Sequence, residues 1–145
     1  MFKSNVKVPI FCLLLLVLIA VLFVSCRKDK PRILIFSKTE GYRHTDAINA
    51  GYEVIFKNAI EKGFIVDSTE DAGKFNDNNL RRYRAVVFLD VSGALFNDEQ
   101  RTSFKRFIQA GGGFLVTHAS VDAERDWPWY NRLIGAYFYS HPAVQ

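Results

Sequence analysis

Sulfur is scarce in this chain of 145 residues: one methionine at the start and two cysteines, Cys12 and Cys26, both inside the first 26 positions. Everything after Cys26 is therefore without a disulfide, and its stability has to come from burial, for which about 120 residues suffice in one domain. An excess of either charge is also lacking. Nineteen basic residues face 15 acidic ones, and without Lys3 and Lys7 of the leading segment the excess falls to about +2, too small to imply a nucleic-acid partner. Arg81, Arg82 and Arg84 form the densest basic run, but they lead into a strand and read as a solvated shoulder. Repeats and low-complexity tracts are absent. Histidine occurs three times, at His44, His118 and His141, and each falls just past an apolar run.

One long apolar run is present, and it lies outside the domain. Lys3 and Lys7 precede an uninterrupted stretch from Val8 to Val24 that ends in Ser25-Cys26, followed by the polar run Arg27-Lys28-Asp29-Lys30. This resembles the lipobox of bacterial lipoprotein signals, with Cys26 as the lipid-bearing residue and Phe23 standing where leucine is usual. The competing reading is an uncleaved anchor, since about 17–25 apolar residues span a bilayer and the two lysines would keep the N-terminus in the cytoplasm. Either way residues 1–26 are a signal peptide or membrane anchor and 27–31 a linker. The α/β domain, residues 32–145, is then exported and tethered at the cell envelope; acyl anchoring needs more than one chain, as a lipidated N-terminal cysteine provides.

From Arg32 onward the hydrophobic period switches repeatedly between strand and helix. Strands are expected at Arg32–Ser37, Phe64–Ser68, Ala85–Leu89, Phe114–Thr117 and, fifth, Ala136–Tyr139. Between them lie a helix carrying Ile48, Tyr52, Ile55 and Ala59, capped by Thr45 or Asp46 and stopped at Gly63, and a short helix around Asp77–Arg82. A third helix opens at Asn97 or Asp98 and buries Phe104, Phe107 and Ile108; a fourth starts at Trp127-Pro128-Trp129 and closes at Gly135. Alternation of this kind implies right-handed crossovers and a flavodoxin-like parallel sheet of order 2-1-3-4 with helices on both faces. Ligands of such sheets bind outside the carboxyl ends of the strands, here between the loop Lys38–Thr45, the exit Asp90-Val91-Ser92-Gly93 and His118.

The runs Ile35–His44, Ala110-Gly111-Gly112-Gly113-Phe114, His118-Ala119, Trp127-Pro128-Trp129-Tyr130, Gly135–Phe138 and Ser140-His141-Pro142, in this order and spacing, resemble the ThuA-like family named for trehalose utilisation. That resemblance implies a fold related to class I glutamine amidotransferases and a role in carbohydrate metabolism. It also implies a domain that continues past Ser-His-Pro, so a chain ending at Gln145 is expected to be a fragment with Tyr137 and Phe138 partly exposed. In glutamine amidotransferases a cysteine sits on a strand-to-helix elbow. Here the comparable strand end reads Thr117-His118-Ala119-Ser120, which excludes glutamine hydrolysis by that route, and Ser120 lacks the small flanking residues a serine elbow needs.

Imidazole can act as general base, general acid or metal ligand near neutral pH, so His118 and His44 are the candidate catalytic residues. His44 stands at a helix entrance, where Gly41 allows close approach and Arg43 suits an oxygen-rich ligand. His141 is held extended by the following proline. Thr39, Gly41, Arg43, Asp90, Trp129, Tyr130 and His141 are the candidate substrate-binding residues, the aromatics by facing a sugar ring, although two tryptophans around a proline also suit a hydrophobic plug. A divalent metal could draw on His44, His118 and His141 with Asp90, Asp122 or Glu124, but no two histidines share local ligand spacing. Two functions stay open: an enzyme of hydrolase or isomerase type acting on a sugar derivative, and a non-catalytic sugar-binding lipoprotein. A paired-carboxylate glycosidase is disfavoured because Asp122, Glu124 and Asp126 crowd one loop. A flavin site is disfavoured because the first loop has no Ser/Thr-rich phosphate cradle.

Overall fold

Four consecutive buried apolar residues, Ile33-Leu34-Ile35-Phe36, with Arg32 ahead of them, form the central strand β1 (Arg32–Phe36) of a four-stranded parallel sheet. The computed structural model describes residues 30–140 and residue 142. Strands β2 (Ile65–Thr69), β3 (Ala85–Phe88) and β4 (Gly113–Val116) complete the order β2-β1-β3-β4, every neighbouring pair parallel. The expected strand order and α/β class are thus the observed ones, with strand ends differing by a residue. The leading segment with Cys12 and Cys26, and His141 near the other end, lie outside the described residues. Among the described residues no helix is long and apolar enough to cross a membrane.

Strand residues alternate between two cores because successive side chains point to opposite faces. Ile35, Val87 and Leu89 meet Ile48 of helix α1 (Thr45–Glu61) on one face. Leu34, Phe36, Val86 and Phe88 meet Leu80, Phe104 and Tyr130 on the other, delivered by α2 (Asp77–Leu80), α3 (Asp98–Gln109) and α4 (Pro128–Ile134). This second core is built on phenylalanine: Phe88 lies 5.2 Å from Phe104 and 4.9 Å from Phe114 by ring centroids. Leu115, level with Val87 in the β3–β4 register, is 51 % exposed.

Local chemistry explains the helix ends. Asn97 caps α3 in a reciprocal box: its Oδ1 accepts from the Gln100 N–H and its own N–H donates to Gln100 Oε1, both at 2.9 Å. Pro128 takes the first position of α4, and Gly135 ends it in the left-handed region at φ 77°. Two expectations fail. The residue preceding α1 is His44, not Thr45 or Asp46, and its side chain makes no capping hydrogen bond, which leaves the imidazole free to face elsewhere. Ala136–Tyr139 is not a strand: beyond Gly135 the Phe138 N–H donates to the Val121 carbonyl (3.0 Å) and Arg125 covers the Phe138 ring, so this segment follows the loop after β4. Tyr137 there is 65 % exposed and Phe138 half-buried.

Candidate functional site at the carboxyl rim

Three loops leave the carboxyl ends of β1, β3 and β4, and backbone hydrogen bonds join them side by side. The Glu40 N–H donates to the Ser92 carbonyl (2.8 Å) and the Glu124 N–H to the Gly93 carbonyl (3.0 Å), so that single parallel bridges Thr39–Ser92 and Gly93–Ala123 continue the sheet above its last full pairing. Gly93 makes this approach possible. Its φ is 81°, and a Cβ there would stand 3.1 Å from the backbone of Glu40 and Gly41. Gly41 serves the same seam: an added Cβ would come to 3.3 Å from Ser92 Oγ, so its smallness admits a neighbouring loop.

Buried Ser92 donates from Oγ to the Tyr42 carbonyl at 2.9 Å and so fixes the stretch that carries Tyr42 and His44. The rings of Tyr42 and His44 meet edge to face at 4.7 Å. His118, 74 positions later, brings its own ring edge to face with His44 at 4.8 Å. The outcome is a row of three rings, Tyr42, His44 and His118, open to solvent at both ends: Tyr42 is 75 % exposed, His44 half-buried and His118 exposed. His118 holds a φ of 26°, in the region L-residues rarely occupy.

Asp90 lies one residue from this row through Thr117. The Thr117 hydroxyl donates to Asp90 Oδ1 at 2.7 Å and accepts from the Asp90 N–H at 3.0 Å, fixing a carboxylate that is only 3 % exposed. Asp90 also has a left-handed φ, 50°. Strain of this kind costs about 1–3 kcal/mol per residue and persists only where surrounding bonds over-determine it.

The remaining candidates are placed elsewhere. Arg43 points away from the rings: its guanidinium donates to the Ser37 carbonyl (2.9 Å) and Glu70 (2.6 Å), with Thr39 Oγ1 at 3.5 Å, and it lines an open cavity between α1 and the end of β2. Tyr130, expected to orient a substrate hydroxyl, is fully buried; it donates to the Ser120 carbonyl at 2.9 Å, and burial, with Glu124 nearby, pushes its phenol well above the ordinary value. Trp129 packs against Phe104 (6.1 Å) and Trp127 (4.9 Å) on the phenylalanine core. Both aromatics are plug rather than rim. Glu124, considered as a metal ligand, has no oxygen to spare: Oε1 accepts from the N–H groups of Leu95 (2.6 Å) and Phe96 (3.0 Å), Oε2 from Arg101 Nε (2.6 Å). Asp122 is paired with Arg125. Among the described residues no three His, Cys, Asp or Glu side chains converge to hold a metal ion.

The family model described as ThuA, trehalose utilisation, matches residues 32–145. The chain belongs to the ThuA family. A crystal structure of a protein from Bacteroides uniformis ATCC 8492, described as ThuA-like, is similar to it with a TM-score of 0.61 at 23 % identity, over 78 % of this chain and 48 % of that one. The ThuA chain thus spans about half the length of that protein, and the likeness concerns the fold. No curated protein matches it. Sequence reasoning missed Tyr42 as a site residue, although its position two residues before His44 in a glycine-bearing loop was a usable signal. The hold of Thr117 on Asp90 and of Ser92 on Tyr42 had none, since neither pair is close in sequence.

Proposed function

We propose that the row Tyr42–His44–His118, with Asp90 behind it, is the site at which this ThuA domain handles trehalose or a related sugar derivative, with the two imidazoles exchanging protons as acid and base. The observation that carries the reading is the 4.8 Å contact between two imidazoles from sequence-distant loops on the rim where ligands of such sheets bind. One imidazole of such a pair can donate while the other accepts, which proton transfer to and from a sugar hydroxyl or carbonyl requires. The exposed Tyr42 ring suits the C–H face of a pyranose, while Asp90, expected from the sequence to contact substrate, is buried and instead fixes Thr117 beside His118. A non-catalytic sugar-binding role is the second reading, favoured by the openness of the row, since both Tyr42 and His118 stand in solvent and nothing in the row excludes water from a reacting centre.

The test follows binding and turnover of trehalose and its keto derivatives on the full chain in detergent, with His118→Gln and His44→Gln beside wild type. Abolished turnover with retained binding supports the enzyme. Binding lost in both variants, with no turnover in wild type, supports the module. Unchanged binding and turnover in both variants overturns the site. We further propose that Cys26 tethers the domain to the cell envelope, either as a lipidated residue or within an uncleaved anchor. Fatty-acid labelling lost in Cys26→Ser supports lipidation, and labelling that persists overturns it.

A further inference from the structure

The cavity that Arg43 faces lies on the opposite side of the first loop from the ring row. It measures about 560 Å³, is open to solvent, and is lined by the first turns of α1 (Ile48, Asn49, Tyr52, Glu53) and the ends of β1 and β2 (Ser37, Ser68, Thr69, Glu70). Its base is apolar and rigid: Ile48 and Leu89 are 4 % and 3 % exposed. Tyr52 lines one wall, its ring stacked on Phe56 at 5.7 Å and inclined by 24°. Around the mouth, Asn49, Glu53 and Ser68 make no side-chain hydrogen bond to any described residue, and Glu70 is engaged only by Arg43.

An apolar floor, one aromatic face and a ring of uncommitted amide, hydroxyl and carboxylate groups complement a pyranose, whose ring carbons present C–H groups and whose periphery presents hydroxyls. Two carboxylates against one guanidinium, itself paired, turn away a phosphorylated or acidic sugar. We propose that this groove is a second saccharide-binding subsite, selective for neutral sugars and distinct from the histidine row. It does not depend on the imidazoles being catalytic. Arg43 stands between Tyr42 and His44 in the chain, so a ligand that engages its guanidinium touches the loop that carries both rings.

Backbone-amide NMR of the full chain, titrated with trehalose and separately with glucuronate, tests the assignment. Trehalose is expected to shift the amides of Asn49, Glu53 and Ser68, with binding weakened at least ten-fold in Tyr52→Ala and unchanged in His118→Gln, while glucuronate leaves them still. Asn49→Ala, at an exposed position, gives the same weakening without touching the packing of Tyr52. Trehalose shifts confined to Tyr42, His44 and His118 would uphold the histidine site and overturn the groove. Equal response to glucuronate, or wild-type binding by Asn49→Ala and a folded Tyr52→Ala, would also overturn it.

Discussion

Replacing Glu124 is the sharpest probe of how the rim is held. Its carboxylate is fully buried, takes two backbone N–H groups from the loop after β3 and the Nε of Arg101 from α3, and sits on a backbone with φ 52°. Burial by itself would make Arg101 easier to deprotonate, but the bond and charge of Glu124, with Asp126 at 2.8 Å, outweigh it and hold the guanidinium ionised. Glu124→Ala leaves two buried donors unmet, at about 1–3 kcal/mol each, and a mostly buried cation whose remaining carboxylate partner, Asp126, is exposed. Because these losses share one cavity they do not add, and about 3–5 kcal/mol, the usual cost of breaking a buried pair from one side, is the expected total. Glu124→Gln keeps an acceptor for Leu95 and Phe96 but turns an N–H₂ toward Arg101, so about 2 kcal/mol is expected. Urea unfolding followed by tryptophan fluorescence measures both, since both tryptophans of the chain lie nearby and Arg101 stands 5.5 Å from the Trp127 ring. A Glu124→Gln unfolding free energy within about 0.5 kcal/mol of wild type would refute the claim that this carboxylate clamps the loops.

Gly93→Ala is expected to cost about 2 kcal/mol from strain at φ 81° together with the close backbone of Glu40 and Gly41, and to broaden the NMR signals of Tyr42 and His44. Thr117→Val keeps the shape but removes both bonds to Asp90; a loss of about 1–3 kcal/mol in urea unfolding and weaker sugar binding are expected, with Thr117→Ser restoring both. Asp67 is pushed upward by burial, but hydrogen bonds from Arg32 and Tyr83 overcome this and leave its carboxyl below the ordinary 3.8. Its ionised form is the one the fold favours, so this contribution is present above pH 3.8 and is lost as pH falls through the lowered value; Asp67→Asn should flatten the acid limb of a stability-against-pH curve, and an unchanged limb counts against it.

How much was legible varies by element for a physical reason. Asn97 and Gln100 three residues apart announce a capping box wherever the chain goes, and Pro128 and Gly135 bracket α4 by their own backbone preferences. Ala136–Tyr139 has the composition of a strand, yet the turn at Gly135 sends it onto the loop after β4. Tyr130 and Trp129 read equally well as sugar platform or plug, because an aromatic residue's exposure depends on what the rest of the fold places over it.

Consecutive residues carry the hydrophobic period and the handedness of each crossover, which is why the alternation of strands and helices, the parallel order β2-β1-β3-β4 and the rim on which His44 and His118 emerge can be read along the chain. That Tyr42, His44 and His118 form one row, while Arg43 turns to the other side of the loop and Glu124 goes inside, came from packing between distant loops. Those outcomes hang on left-handed backbone at Asp90, Gly93, His118 and Glu124, conformations imposed by bonds between loops far apart in the chain.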